Sequence, residues 1–178
     1  MSGGKLKDKV ILVTGANTGI GRAIAECCLK EGAQVAVHGL DSYAVETVVA
    51  EMGSNAFGIA GDLESADTPG RIVYEVVEHF GRLDGVVNNA AIITRASFSE
   101  TNAAMFDQTM AINVRAPFLI CQAVEPHLKA SKGCVVNIGS INAHGGEGIL
   151  SAYSVSKGAL QTMSKNLAEI YAREGIRY

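Results

Sequence analysis

Short, solidly apolar runs alternate with helix-length amphipathic stretches five times along this chain. That alternation leaves few folds open. The apolar runs are 10–13, 34–38, 56–60, 83–88 and 134–138. None shows clean period-two alternation, which is the pattern of strands covered on both faces. The intervening stretches 19–31, 43–52, 67–80 and 101–130, followed by 153–173, have helical spacing. The first carries Ile20, Ala23, Ile24, Cys27 and Cys28 as its apolar stripe, and the last carries Leu160, Met163, Leu167 and Ile170. Gly32, Gly53 and Gly81 stand where helices should stop, and Pro69 sits in a first turn, where proline is tolerated. The expectation is an α/β fold: a doubly wound parallel sheet in three α/β/α layers, with right-handed crossovers.

Composition narrows the function classes. The chain has 178 residues, 48% of them apolar, with a net charge of −3. This is the composition of one folded domain spanning 1–178. The 15 Lys and Arg are scattered and outnumbered by 18 acids, which argues against a nucleic-acid partner. No apolar run reaches membrane-spanning length, and Met1–Lys9 has no apolar leader. Cys27, Cys28, Cys121 and Cys134 form no CxxC, so reduced, mostly buried thiols and a cytoplasmic location are expected. Gly175 reads as a helix stop and Ile176 as the start of a sixth strand, so the domain is expected to be cut within that strand.

Thr14-Gly15-Ala16-Asn17-Thr18-Gly19-Ile20-Gly21 joins the first strand to the first helix. In a Rossmann-type fold this connection binds a dinucleotide. Gly15 would permit the tight turn, Gly19 the approach of backbone to a pyrophosphate, and Gly21 close helix–strand packing. The free N–H groups at the helix start would meet the negative charge. The spacing is GxxxGxG rather than GxGxxG.

A second motif lies at Ser151-Ala-Tyr153-Ser-Val-Ser-Lys157. In a helix, Tyr153 and Lys157 share one face, a turn apart. A cation held beside a phenol favours the phenolate, and such a phenol can act as a general acid or base.

Together these motifs resemble the short-chain dehydrogenase/reductase family. Four further stretches resemble it in order: Gly61-Asp62-Leu63, Asn88-Asn89-Ala90-Ala91, Asn113 within Met110–Phe118, and Ser140 after Val135–Gly139. The resemblance covers nearly the whole chain. Ala91 departs from it, standing where glycine is usual. The resemblance implies a nicotinamide cofactor, NAD or NADP, and hydride transfer to or from the carbonyl carbon of a small alcohol or carbonyl substrate. Tyr153 would be the general acid/base. Lys157 would tune it and hold the nicotinamide ribose, and Ser140 would bond the substrate oxygen. Asn113 would offer a backbone carbonyl to a proton-relaying water. Pro117, four residues later, has no N–H to occupy that carbonyl.

Cofactor contacts are expected from Gly15, Asn17, Thr18, Gly19, Ile20, Gly21, Leu40, Asp41, Asp62, Leu63, Asn89 and Ala90, together with Tyr153 and Lys157. Gly39 stands where NAD-preferring relatives carry an acid, and no base stands at Leu40 or Thr18 as in NADP-preferring ones. Asp41, slightly later, would repel a 2′-phosphate, which leans the expectation to NAD. Ile92, Asn142, His144 and Glu147 are candidate substrate contacts. No cluster has metal-ligand spacing. Helices within 101–130 and 153–173 form the family's usual pairing surface, so a homodimer or homotetramer is expected. The competing expectation is a truncated nucleotide-binding module without turnover.

Overall fold

The computed structural model describes residues 4–178; Met1–Gly3, the start of the stretch read as lacking a leader, lie outside the described residues. Five parallel strands form one sheet: β1 (Val10–Val13), β2 (Gln34–Gly39), β3 (Ala56–Ala60), β4 (Gly85–Asn88) and β5 (Cys134–Asn137). Their order is β3-β2-β1-β4-β5. The chain winds outward from β1 to β3, then returns to the other side of β1 as β4. The gap between β1 and β4 is therefore the switch point at which such sheets bind ligands.

Helices α1 (Gly19–Lys30) and α2 (Ser42–Met52) cover one face. The other face carries α3 (Thr68–Phe80), α5 (Ala116–Ser131) and α6 (Ser151–Tyr171), with α4 (Ala103–Met110) preceding α5. Each strand feeds both layers. On β1, Val10 and Leu12 enter the core beneath α3, α5 and α6, while Ile11 and Val13 enter the core beneath α1 and α2. Burial on both faces explains why the strands read as solid apolar runs. The α/β three-layer expectation holds, with strand ends shifted by one or two residues.

Four expectations need correction. The stripe assigned to α1 is half right: Ile24 and Cys28 pack against the core, but Ile20 is exposed and Ala23 faces solvent, whereas Gly21 and Ala25 are buried. The first turn meets the sheet through Gly21 because it approaches the loop after β1 too closely for a larger residue. The thiols are not mostly buried either. Cys27 is exposed, Cys28 and Cys134 are half-buried, and only Cys121 is enclosed. Adjacent helical residues point about 100° apart, so Cys27 and Cys28 do not share one inward face. On α6, Leu160 and Met163 are buried as expected, but Ile170 is exposed beside a groove between α5 and α6.

The stretch 101–130 is also not one helix. Asn102 caps α4 by accepting from the Met105 N–H at 3.0 Å. A π-helical turn, Ala111–Arg115, then separates α4 from α5, and the Ala116 N–H donates five residues back to the Ala111 carbonyl. Pro117 in the first turn of α5 accounts for the widening. Its ring would crowd the carbonyl four residues earlier, and it offers no N–H to replace the contact.

Beyond Gly175, the Val135 N–H donates to the Arg177 carbonyl at 2.8 Å, a single parallel bridge on the outer edge of β5. At the same end of the sheet, buried Asp84 joins β1 to β4. It accepts from the Val10 N–H at 3.0 Å, from Arg82 through two nitrogens, and from Lys9 at 3.2 Å. Burial opposes ionisation of Asp84, but these donors outweigh it and hold the carboxyl below its usual range.

Candidate active site

A cavity of about 380 Å³ opens at the switch point, over the C-terminal ends of β1, β2, β3 and β4. Ten of the residues expected to touch a cofactor line it: Gly15, Asn17, Thr18, Gly19, Ile20, Leu40, Asp62, Leu63, Asn89 and Ala90. Ile92 lines it too. Gly21, Asp41, Tyr153 and Lys157 do not.

The loop after β1 is built for close approach. Gly15 and Gly19 have φ of +61° and +54°, conformations that favour glycine. A methyl group on Gly19 would meet nothing, which leaves open space at the start of α1. Thr18 caps α1 with no side-chain hydrogen bond, so the first N–H groups of the helix remain available to an anion. Gly21 lies underneath. A methyl group there would collide with the Gly15 carbonyl and the Asn89 amide. Its role is packing.

Asn89 and Thr14 lock the first loop to the fourth. Asn89 Nδ2 donates to the Thr14 and Gly15 carbonyls at 2.9 and 3.1 Å, and Thr14 Oγ1 accepts from the Asn89 and Ala90 N–H groups at 3.0 and 3.1 Å. Ala91 keeps a negative φ, so the loop takes its shape without the glycine usual there. Just beyond β2, Asp41 accepts from the Ala44 N–H at 2.8 Å and caps α2. A side chain on Gly39 would start 2.7 Å from Val45 Cγ2 and 2.8 Å from Asn17 Oδ1, so an acid has no room there. Asp62 Oδ1 accepts from the Glu64 N–H at 2.8 Å, shaping the loop after β3.

The catalytic candidates gather around the start of α6. Tyr153 and Lys157 share a face, with the Lys157 ammonium 5.7 Å from the centre of the tyrosine ring. Lys157 is only 3% exposed and donates to the Ile138 carbonyl at 2.7 Å. Burial lowers its pKa from the ordinary lysine value. Ser140 Oγ accepts from the Asn142 N–H at 3.2 Å, starting the short 3₁₀ turn Ile141–Ala143, which packs against α6.

Asn113, 1% exposed in the π turn, is fully engaged. Its Oδ1 accepts from the Ile92 N–H at 2.9 Å; its Nδ2 donates to the Ile92 carbonyl at 2.9 Å and to Ser156 Oγ at 3.1 Å. Ser156 Oγ donates to the Tyr153 carbonyl at 2.6 Å. One chain of contacts therefore runs from the cavity lining through Asn113 to the tyrosine. The sequence reading missed Ser156 and Thr14, although both lie within the motifs it used. It also missed the buried ladder Asn88–Asn137–Ser164, with bonds of 2.8 Å each, which pins β4 and β5 to α6.

The other substrate candidates bond locally. Asn142 donates to Glu147 at 3.2 Å, and His144 lies 3.1 Å from Gln161 Nε2. Among the described residues, no group of three or more His, Cys, Asp or Glu could hold a metal, and no helix is long and apolar enough to cross a membrane.

Known proteins are similar to this chain in sequence and fold. An uncharacterized oxidoreductase of Thermotoga maritima is 42% identical over 173 residues, covering 95% of this chain and 68% of that protein. The 3-ketoacyl-(acyl-carrier-protein) reductase of Brucella melitensis, solved with NADH, superposes with a TM-score of 0.93 at 30% identity, covering 97% of this chain and 74% of that one. A metagenomic short-chain oxidoreductase solved with NADP gives 0.91 at 31% identity, covering 97% and 80%. The chain spans 62% to 76% of the length of the curated relatives it matches, and 64% of one solved neighbour. The family model for short chain dehydrogenase matches residues 9–178, which take in every element from β1 to the bridge at Arg177. The chain belongs to the short-chain dehydrogenase family.

Proposed function

We propose that the chain binds a nicotinamide dinucleotide in the switch-point cavity and serves hydride transfer between that cofactor and a secondary alcohol or carbonyl compound. The observation that carries this reading is the Lys157 ammonium, buried and tied to the end of β5 one turn from Tyr153, in a chain whose loop after β1 forms a glycine-built anion cradle. The cavity suits the cofactor: it offers uncapped helix N–H groups for a pyrophosphate and open space at Gly19. Gly15, Thr18, Gly19 and Ile20 would hold the pyrophosphate, Leu40 the adenine ribose, Asp62 and Leu63 the adenine, and Asn89 and Ala90 the loop beneath them. When bound, the nicotinamide gives or takes the hydride.

The remaining chemistry belongs to side chains of this protein. Tyr153 passes a proton to a carbonyl oxygen or removes one from an alcohol. Lys157 keeps two donors free after bonding Ile138, enough to hold a ribose and to favour the ionised phenol. Ser140 bonds the substrate oxygen as charge develops. The side chain of Asn113 is spent on Ile92 and Ser156, which leaves its backbone carbonyl as the group available to a relay. Ile92, Asn142, His144 and Glu147 stand near the substrate and suit a hydroxylated compound.

We infer a preference for NAD, because the Asp41 carboxylate lies one residue beyond cavity-lining Leu40. We also infer a homo-oligomer paired through α5 and α6, whose shared groove of about 740 Å³ is lined by Phe118, Leu167 and Ile170. The test is cofactor absorbance with a panel of secondary alcohols and ketones, using both NAD and NADP. Turnover that Tyr153→Phe abolishes supports the proposal. Turnover unchanged in Tyr153→Phe contradicts it. The span of about two thirds of the relatives' length favours a second reading, dinucleotide binding without turnover. Saturable binding with no turnover across the panel would select it.

A further inference from the structure

We propose that His38 is a positioning residue for the dinucleotide: a neutral imidazole strut that sets the spacing between the loop after β1 and the loop after β3. The proposal rests on the cofactor reading above. His38 is the penultimate residue of β2, 2% exposed, on the strand between β1 and β3. From there its ring reaches both neighbouring loops. The Gly15 N–H donates to Nδ1 at 3.4 Å, and Nε2 lies 3.0 Å from the Gly61 carbonyl. A backbone N–H only donates and a carbonyl only accepts. These partners therefore select one state, the neutral ring with its proton on Nε2.

The backbone of the same strand repeats the tie. The Ala16 N–H donates to the His38 carbonyl at 2.7 Å, and the Gly61 N–H donates to the Gly39 carbonyl at 2.9 Å. Gly15, Gly61 and His38 all line the cavity. The ring therefore fixes the distance between a pyrophosphate-holding segment and an adenine-holding one.

The strut is sensitive to protons. A second proton would occupy Nδ1 and oppose the Gly15 N–H, donor against donor. Burial disfavours the charged ring, the Gly61 carbonyl favours it, and Arg71 repels it; together they leave His38 below the ordinary histidine value. Arg71 comes from α3 and is bonded to the Ala60 carbonyl at 2.8 Å and to Glu75. On the loop after β3, Asp62 lines the same cavity. The loop after β1 brings no ionisable side chain within 14–18. The neutral ring is the bonded one, so the contribution of the strut is complete above about pH 6.5 and is lost as pH falls through the lowered folded value.

The experiment is an NADH fluorescence titration of the wild-type chain, His38→Leu and His38→Asn at several values between about pH 7.5 and 5.5, the range where histidine changes charge. His38→Leu removes both ties and should raise the Kd at least ~10-fold at the upper end. The wild-type Kd should stay level in the upper part of the range and rise severalfold once pH falls through the lowered His38 value. His38→Asn keeps an acceptor for Gly15 and gains no proton, so its Kd should stay level across the range. Nitrogen–proton correlation spectra of the free wild-type protein give a reading independent of cofactor and of variant folding: the His38 ring should carry its proton on Nε2 alone. A ring protonated on Nδ1 at the upper pH overturns the proposal. So does wild-type NADH binding that His38→Leu leaves unchanged, and that result spares the cofactor reading. A wild-type chain that binds no NADH at any pH overturns both.

Discussion

Replacing Asn113 by alanine should cost the fold far more than a typical single substitution. Three hydrogen bonds end on this side chain: two to the Ile92 peptide at 2.9 Å each, and one to Ser156 at 3.1 Å. Alanine leaves the Ile92 N–H and carbonyl without partners, whereas Ser156 keeps its bond to the Tyr153 carbonyl. Each stranded group costs about 1–3 kcal/mol when buried. Ile92 is only half-buried, so the lower end applies to its two groups, and the small cavity adds to them. The total is about 3 kcal/mol, against a stability of about 5–15 kcal/mol for a domain of ordinary stability. For a chain this long that corresponds to a fall of about 6–12 °C in Tm. Urea unfolding followed by circular dichroism would measure it, with an unchanged slope showing that the folded and unfolded states are otherwise alike. Asn113→Asp supplies a sharper control. It keeps the volume and the acceptor for the Ile92 N–H but sets an oxygen against the Ile92 carbonyl, so it should lose as much as alanine. Ser156→Ala combined with Asn113→Ala should cost less than the sum of the single effects, because the two share one bond. A loss under about 1 kcal/mol for both Asn113 variants would refute the reasoning, since it falls below one stranded buried group.

Gly21→Ala should lower stability by about 1–3 kcal/mol, the usual range for overpacking, and should weaken NADH binding as Gly15 and Asn89 move apart; thermal melts and a fluorescence titration would check both. Asp84 is held ionised by Arg82, Lys9 and the Val10 N–H, so wild-type stability should fall as pH drops from about 4 through its lowered folded value, and Asp84→Asn should flatten that limb of the acid titration. Lys157 acts in the same direction at higher pH: its folded pKa is lowered, so stability should rise with pH from that folded value up to about 10.4, and Lys157→Met should remove the rise while abolishing any turnover, as alkaline unfolding curves and the absorbance assay would report.

The strands and the glycine loop were legible because their signals are local. A solid apolar run flanked by glycine reports burial on both faces, and the turn after β1 needs glycine at 15 and 19 for positive φ. The break in 101–130 was only half legible. Pro117 announced a disturbance, but a π turn places the widening before the proline, and that choice depends on how Asn113 reaches across to Ile92. Cavity-lining Ile20 was placed on the apolar stripe, but the first turn of α1 meets its sheet through Gly21, and the large residues that pack on the core, Ile24 and Leu29, come later in the helix. Among the site residues, Tyr153, Lys157 and Asn113 were found by spacing and resemblance. Thr14 and His38 act through hydrogen bonds to backbone groups distant in sequence, and Ser156 links the Asn113 side chain to the Tyr153 carbonyl; no periodicity encodes such contacts. Asp41 carries a second role that its spacing does not reveal: its carboxylate caps α2.

The most direct test of the central claim is a map of backbone amide chemical shifts in the wild-type protein as NADH is added. The account predicts saturable shifts concentrated at Gly15–Ile20, Gly39–Leu40, Gly61–Leu63 and Asn89–Ile92, the four loops around the switch-point cavity. Absence of shifts, or shifts confined to the groove between α5 and α6, would contradict it.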